Sequence, residues 1–212
     1  MLKVIGLSGS PRHGATEAVI KAGLQAMEAY PGVETEYLSL AGKNIRPCEG
    51  CGYCLKNHCG CIYQDDMQEL IDHFLQADAY LIGSPVYVHS ITPQLMAFFS
   101  RLRPVSAMMP EALRCKLGAA VAVGGARNGG EEAADTILIH MMMARGMNIV
   151  SGESRGYIGG KVWSQDKRSL TPEDDEVGMK TVLGLSRKLV ETALVYQRGK
   201  ALYPLETLPQ FA

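Results

Sequence analysis

The sequence predicts an α/β fold of the doubly wound type: a five-stranded parallel sheet in the order 2-1-3-4-5, with a cysteine-rich loop after strand 2. Three observations predict it. Short apolar runs alternate along the chain with segments whose apolar residues recur at helical spacing. Those runs are continuously apolar, as in parallel strands covered on both faces. Three of them end in Gly, Ser or Pro, the chemistry of a turn leading out of a strand. A chain of 212 residues holds five such units around one core, so residues 1–212 read as one domain, with residues 47–62 inserted as a loop.

Each element follows from its residues. Residues 2–7 form the first strand, and Ser8-Gly9-Ser10-Pro11 turns it into a helix with Val19, Ile20, Leu24 and Met27 on one face. Pro31-Gly32 breaks that helix, and residues 33–40 make the second strand. After the cysteine loop, Asp66 with Glu69 is the expected capping box of a helix along Met67, Leu70, Ile71 and Phe74. Residues 79–83 are the third strand, stopped by Ser84-Pro85. Pro93 opens the next helix. Residues 117–123 are the fourth strand, 131–145 a helix, and 148–151 a fifth, shorter strand. Pro172 opens a long closing helix.

Charge and hydropathy exclude several function classes. Lys plus Arg is 21 and Asp plus Glu is 22, a net charge of −1 with no electrostatic footprint for nucleic acid or an acidic membrane surface. The apolar stretch 117–126 is ten residues long and contains three glycines, far short of a bilayer span. The start of the chain carries one Lys, a short apolar run and a turn, without the layout of a signal peptide. A cytoplasmic protein is the expectation.

Three loops fall at the carboxyl ends of the central strands. Residues 8–16 join strand to helix, and their hydroxyls, backbone N–H groups and helix start suit a phosphate, with Arg12 as a charged fork. A plain polar turn capped by Thr16 would read the same way. Ser84-Pro85-Val86-Tyr87 follows the third strand; proline keeps Ser84 extended, so Val86 and Tyr87 leave the sheet with exposed backbone groups suited to a flat ring. Gly124-Gly125-Ala126-Arg127-Asn128-Gly129-Gly130 follows the fourth strand, and its glycines permit positive φ and close backbone approach to a ligand. In this strand order the three loops converge on the switch-point crevice.

These motifs, SGSPR with a nearby Thr, SPVY before a helix, and GGxRNGGxE, resemble the NADPH-dependent FMN reductase family of flavodoxin-like proteins across essentially the whole chain. The resemblance implies FMN in the crevice. It assigns the phosphate to Ser8, Ser10, Arg12, Ala15 and Thr16, and the ring's border to Pro85, Val86, Tyr87, Gly124, Gly125 and Arg127. Ala15 stands where the family often has Asn, which removes a side-chain contact but leaves the backbone donors.

Five of the six cysteines lie between Cys48 and Cys61. The spacing Cys48-x2-Cys51-x2-Cys54 can bring three thiolates to one cluster, with a fourth from Cys59 or Cys61. Zinc and redox thiols are the competing readings, though zinc knuckles are usually spaced further apart and a redox CxxC uses only two cysteines. The string CEGCGYCLKNHCGCIYQDDM resembles the iron–sulfur flavoprotein branch of the family. That likeness implies a 4Fe-4S cluster on Cys48, Cys51, Cys54 and Cys61, because the branch keeps its last cysteine four residues before the first Asp of DDM.

The expected protein is therefore an FMN-dependent oxidoreductase with a 4Fe-4S cluster. It would pass electrons between NAD(P)H or another reduced carrier and a one-electron partner or small acceptor, with no catalytic side chain identified. A flavin or quinone reductase lacking a cluster, or a non-enzymatic carrier or redox sensor, are the alternatives. The resemblance further implies a homodimer or homotetramer, and small molecules or proteins as electron donors and acceptors.

Overall fold

The computed structural model describes residues 1–154 and 156–203; residues 204–212 of the expected domain lie outside the described residues. In chain order the elements are β1 (Leu2–Ser8), α1 (Ala15–Glu28), β2 (Val33–Ser39), α2 (Tyr53–Asn57), α3 (Met67–Phe74), β3 (Ala79–Pro85), α4 (Pro93–Arg101), α5 (Arg103–Met108), β4 (Leu117–Gly124), α6 (Glu131–Met143), β5 (Asn148–Ile149), β6 (Gly160–Trp163) and α7 (Glu176–Leu202). The strands are parallel in the order β2-β1-β3-β4-β5, as expected, with β6 also paired to β4.

Alternation along each central strand divides the core into two layers. Ile5, Leu7, Tyr80, Ile82, Ala120 and Ala122 meet α3, α4 and α6 on one face. Val4, Leu81, Val121 and Val123 meet α1 and α7 on the other. Edge strand β2 is only half-buried, which fits its polar sequence VETEYLS. The registers Ser8 with Gly83 and Pro85 with Val123 bring the carboxyl ends of β1, β3 and β4 level. Gly83 lets α1 lie close to the sheet, since a Cβ there would meet the Ile20 side chain at 2.7 Å. That approach sets the start of α1 beside the strand ends.

Four local expectations are corrected. Strand β3 runs through Pro85 instead of ending at residue 83, because proline can occupy the last position without needing a donor of its own. The expected strand 148–151 is only two residues long, and β6, absent from the sequence reading, pairs with Val121–Gly124 where β5 does not reach. The closing helix begins at Glu176, after a 3-10 turn at Pro172–Asp175. The box opening α3 is formed by Asp65 and Gln68, one residue earlier than Asp66 and Glu69: Asp65 Oδ1 accepts from Met67 N at 3.2 Å and Gln68 Oε1 from Asp65 N at 3.1 Å. No described helix is long and apolar enough to cross a membrane.

Candidate functional site

The loop after β1 is shaped by its own hydroxyls. Buried Ser8 accepts from Ser10 N at 3.4 Å, while Ser10 Oγ accepts from Arg12 N at 3.2 Å and donates to Arg12 O at 2.6 Å. Gly9 N donates to Gly83 O at 2.7 Å, and Thr92 Oγ1 donates to Gly9 O at 2.6 Å, tying the first two loops together. Thr92 also caps α4 by accepting from Leu95 N.

The start of α1 is differently built. Gly14 precedes it and supplies no side-chain cap, so its first-turn N–H groups take none from the protein's side chains. Thr16 is buried in that turn, and Ala15 contributes backbone only. Glu17 is engaged by Lys21 and by His13, at 2.5 and 2.6 Å, and Lys21 leads in holding its carboxyl below the ordinary range. Exposed Arg12 has no ion-pair partner among the described residues. An uncapped helix start beside a free guanidinium is a donor set suited to a phosphoryl group.

The loop after β3 differs from expectation. The N–H groups of Val86 and Tyr87 are not free: Val86 donates to Val123 O at 2.9 Å, and Tyr87 donates to Ser90 O at 2.8 Å. Tyr87 and Ser90 close a tight hairpin with Val88 at φ 48° and His89 at φ 61° between them. Beneath it, Ser84 Oγ accepts from Thr92 N at 3.1 Å. What this loop offers a flat ring is the side chains of Pro85, Val86 and Tyr87.

Gly124 and Gly125 are likewise corrected. Neither has positive φ, which among the glycines of this loop falls to Gly130 at 102°. Their missing side chains instead make room for protein carboxylates, since a Cβ at Gly124 would strike Glu131 and one at Gly125 would strike Asp166. Residues at the end of β6 and just after it clamp the loop: Ser164 N donates to Gly124 O at 2.7 Å and Trp163 Nε1 to Gly125 O at 2.9 Å. Arg127 stacks 4.9 Å from the Trp163 ring centre. It lines a groove of about 850 Å³ with Trp163, Lys161, Tyr157 and Thr181, which the 8–16 loop and Pro85, Val86 and Tyr87 do not line.

The cysteine loop leaves the same end of the sheet, after β2. Cys48 N donates to Ser100 Oγ at 3.2 Å on α4, and Cys54 is buried on α2. Cys48, Cys51, Cys54 and Cys61 line one narrow cleft, together with Arg101 and Pro104. Cys59 is not part of that lining; its Sγ turns to Gly60 O at 3.4 Å. All are free thiols. Among the described residues no three His, Cys, Asp or Glu side chains close on a single ion. A cubane asks for something else, one thiolate at each of four irons, and the four cysteines that line this cleft supply that donor set.

Arg101 is 1% exposed and anchors the loop. It grips Asp65 with both terminal nitrogens, at 2.6 and 2.9 Å, and donates to Arg46 O at 2.8 Å. Burial pushes the Asp65 carboxyl up, but Arg101 and the N–H groups of Arg46 and Met67 outweigh it and hold it low. Sequence reasoning missed Arg101, Asp65, Thr92, Trp163 and Ser164 as site residues. Only Trp163, next to a Gly-Gly pair and inside a short alternating run, carried a usable signal.

Known proteins resemble this chain in sequence and in fold. Residues 2–155 match the family model for NADPH-dependent FMN reductase. An iron-sulfur flavoprotein of Methanocaldococcus jannaschii is 38% identical over 85% of this chain and 91% of its own, and one of Methanosarcina thermophila is 34% identical over 94% and 99%. The apo form of an NADH:FMN oxidoreductase superposes with a TM-score of 0.61 over 92% of this chain and 90% of its own; at 18% identity that likeness shows the fold alone. The chain therefore belongs to the NADPH-dependent FMN reductase family, with the iron–sulfur flavoproteins among its relatives, and is an FMN-dependent oxidoreductase.

Proposed function

We propose that this oxidoreductase carries a 4Fe-4S cluster beside its FMN and moves electrons between a two-electron donor such as NAD(P)H and a one-electron partner or small acceptor. The observation that carries this reading is that four cysteines line one cleft, on the loop that leaves the same end of the sheet as the flavin loops. When bound, FMN supplies two-electron and one-electron chemistry in one group, and the cluster supplies one-electron steps.

The chain's own residues do the holding. Arg12 and the uncapped start of α1, with Ala15 and Thr16, bind the FMN phosphate, while Ser8 and Ser10 keep the loop in shape. Pro85, Val86 and Tyr87 form one wall for the ring, and Gly124 and Gly125 border it from the end of β4. Arg127 sits at the outer groove, where its charge suits an anionic substrate group. Cys48, Cys51, Cys54 and Cys61 hold the cluster. A homodimer or homotetramer remains the expected assembly.

Anaerobic reconstitution followed by iron, sulfide and flavin assays tests the reading. About four irons and one FMN per chain, with NAD(P)H bleaching both chromophores, is the expected result. Stoichiometric flavin turnover with no iron uptake would make the protein a simple flavin or quinone reductase.

A further inference from the structure

A guanidinium has five N–H donors in a fixed fork. In Arg101 four are directed at named acceptors: Nη1 serves Arg46 O and Asp65 Oδ2, while Nη2 serves Asp65 Oδ1 at 2.9 Å and approaches Tyr63 O at 3.5 Å. The fifth, on Nε, is buried and has no partner among the described residues. Buried donors are almost always paired, so one left over on a side chain 1% exposed needs a reason. Arg101 also lines the cleft of Cys48, Cys51, Cys54 and Cys61.

We propose that Arg101 is a positioning residue for the cluster, its Nε–H donating to sulfur on the Cys61 side of the cleft and raising the cluster's reduction potential. This rests on the cluster reading given above. Asp65 fixes the fork through both terminal nitrogens, so four donors hold the guanidinium in place and the fifth is left for the cluster. Arg103 and Glu49 line the cleft too, but Glu49 is paired with Arg46 at 3.0 Å, and neither is locked in place as Arg101 is. A cluster held by four thiolates is anionic and gains one negative charge on reduction. A fixed cation and a hydrogen bond to its sulfurs therefore favour the reduced state.

The test is an anaerobic redox titration of the reconstituted protein, followed by EPR, for wild type, Arg101→Lys and the neutral double variant Arg101→Gln/Asp65→Asn. Lysine keeps the charge near Asp65 but has no Nε–H; the double variant avoids stranding a carboxylate. With iron content and far-UV circular dichroism unchanged, Arg101→Lys should lower the potential by about 59 mV, a tenfold shift in the oxidised-to-reduced ratio for one electron. The double variant should fall at least as far. Equal potentials in all three, with full clusters, overturn the proposal while leaving the cluster reading intact. A wild type that takes up no iron or sulfide overturns both. Where a variant loses the cluster, pulsed EPR of wild type labelled with 15N at arginine Nε decides: a coupling to the cluster supports the proposal, and its absence overturns it.

Discussion

Cys59 and Cys61 are two residues apart, yet their surroundings separate them. Cys61 shares the cleft with the other three cysteines and neighbours Arg101, whereas Cys59 turns to the Gly60 carbonyl. Cys59→Ser should retain a full cluster after reconstitution, and Cys61→Ser should lose it or yield a three-iron form. Iron analysis with low-temperature EPR distinguishes the two, and the opposite pattern would reassign the fourth ligand. Asp135 makes a prediction of another kind. Its carboxyl is fully buried, both oxygens lack partners among the described residues, and burial pushes its pKa well above the ordinary value, with Lys161 opposing only in part. The folded state thus keeps this proton where the unfolded chain has already released it, so Asp135's contribution to stability is intact below about pH 4 and declines as pH rises toward the folded pKa. Asp135→Asn should have flatter stability than wild type above about pH 4. Urea midpoints measured from pH 4 to pH 8 check this, and parallel curves for the two proteins would refute it.

At the level of elements, the hairpin after β3 carries the clearest local strain. Two-residue hairpins of this kind need positive φ at both central positions, which Asn and Gly accept and a β-branched residue resists. Here those positions are Val88 and His89, and the Val88 side chain is fully exposed, so no burial compensates for its backbone. Val88→Asn should raise stability by about 1 kcal/mol, read as a higher urea midpoint at unchanged slope; an unchanged or lower midpoint would mean Val88 is not strained. Elements differ in how far their residues announced them. The runs that became β1, β3 and β4 are continuous and long enough to read, and the expected sheet order follows from them. β5, expected over residues 148–151, keeps only two of them, while β6 has four residues, too few for a period to emerge. The α3 cap slipped by one because Asp65 and Asp66 are adjacent and only the three-dimensional contact selects between them. Arg101 at the end of α4 reads like any solvated cation near a helix terminus. Its partners lie 36 and 55 residues away, beyond the reach of local pattern.

Considered as a whole, the molecule places the loops proposed to hold the flavin at the strand ends and its packed side chains below them. A bound flavin mononucleotide therefore engages few buried groups and stabilises chiefly by linkage to the folded state, in which alone the loops are assembled. At a free concentration of 100 Kd that linkage amounts to about 2.7 kcal/mol, which for a chain of this size is roughly 5–11 °C in Tm. FMN should produce that shift in apoprotein followed by circular dichroism. Riboflavin at the same concentration should produce a much smaller one, because it has no phosphate for Arg12 and the open start of α1. FAD should fall short as well, since the 8–16 loop offers one phosphate site and the sequence carries no second nucleotide-binding motif. Arg12→Ala should weaken FMN roughly tenfold to a hundredfold while leaving riboflavin nearly unaffected, the signature of one charge-assisted contact. Equal shifts with FMN and riboflavin would remove the phosphate from the 8–16 loop. It would also leave the uncapped helix start, on which the placement of the flavin depends, without a ligand.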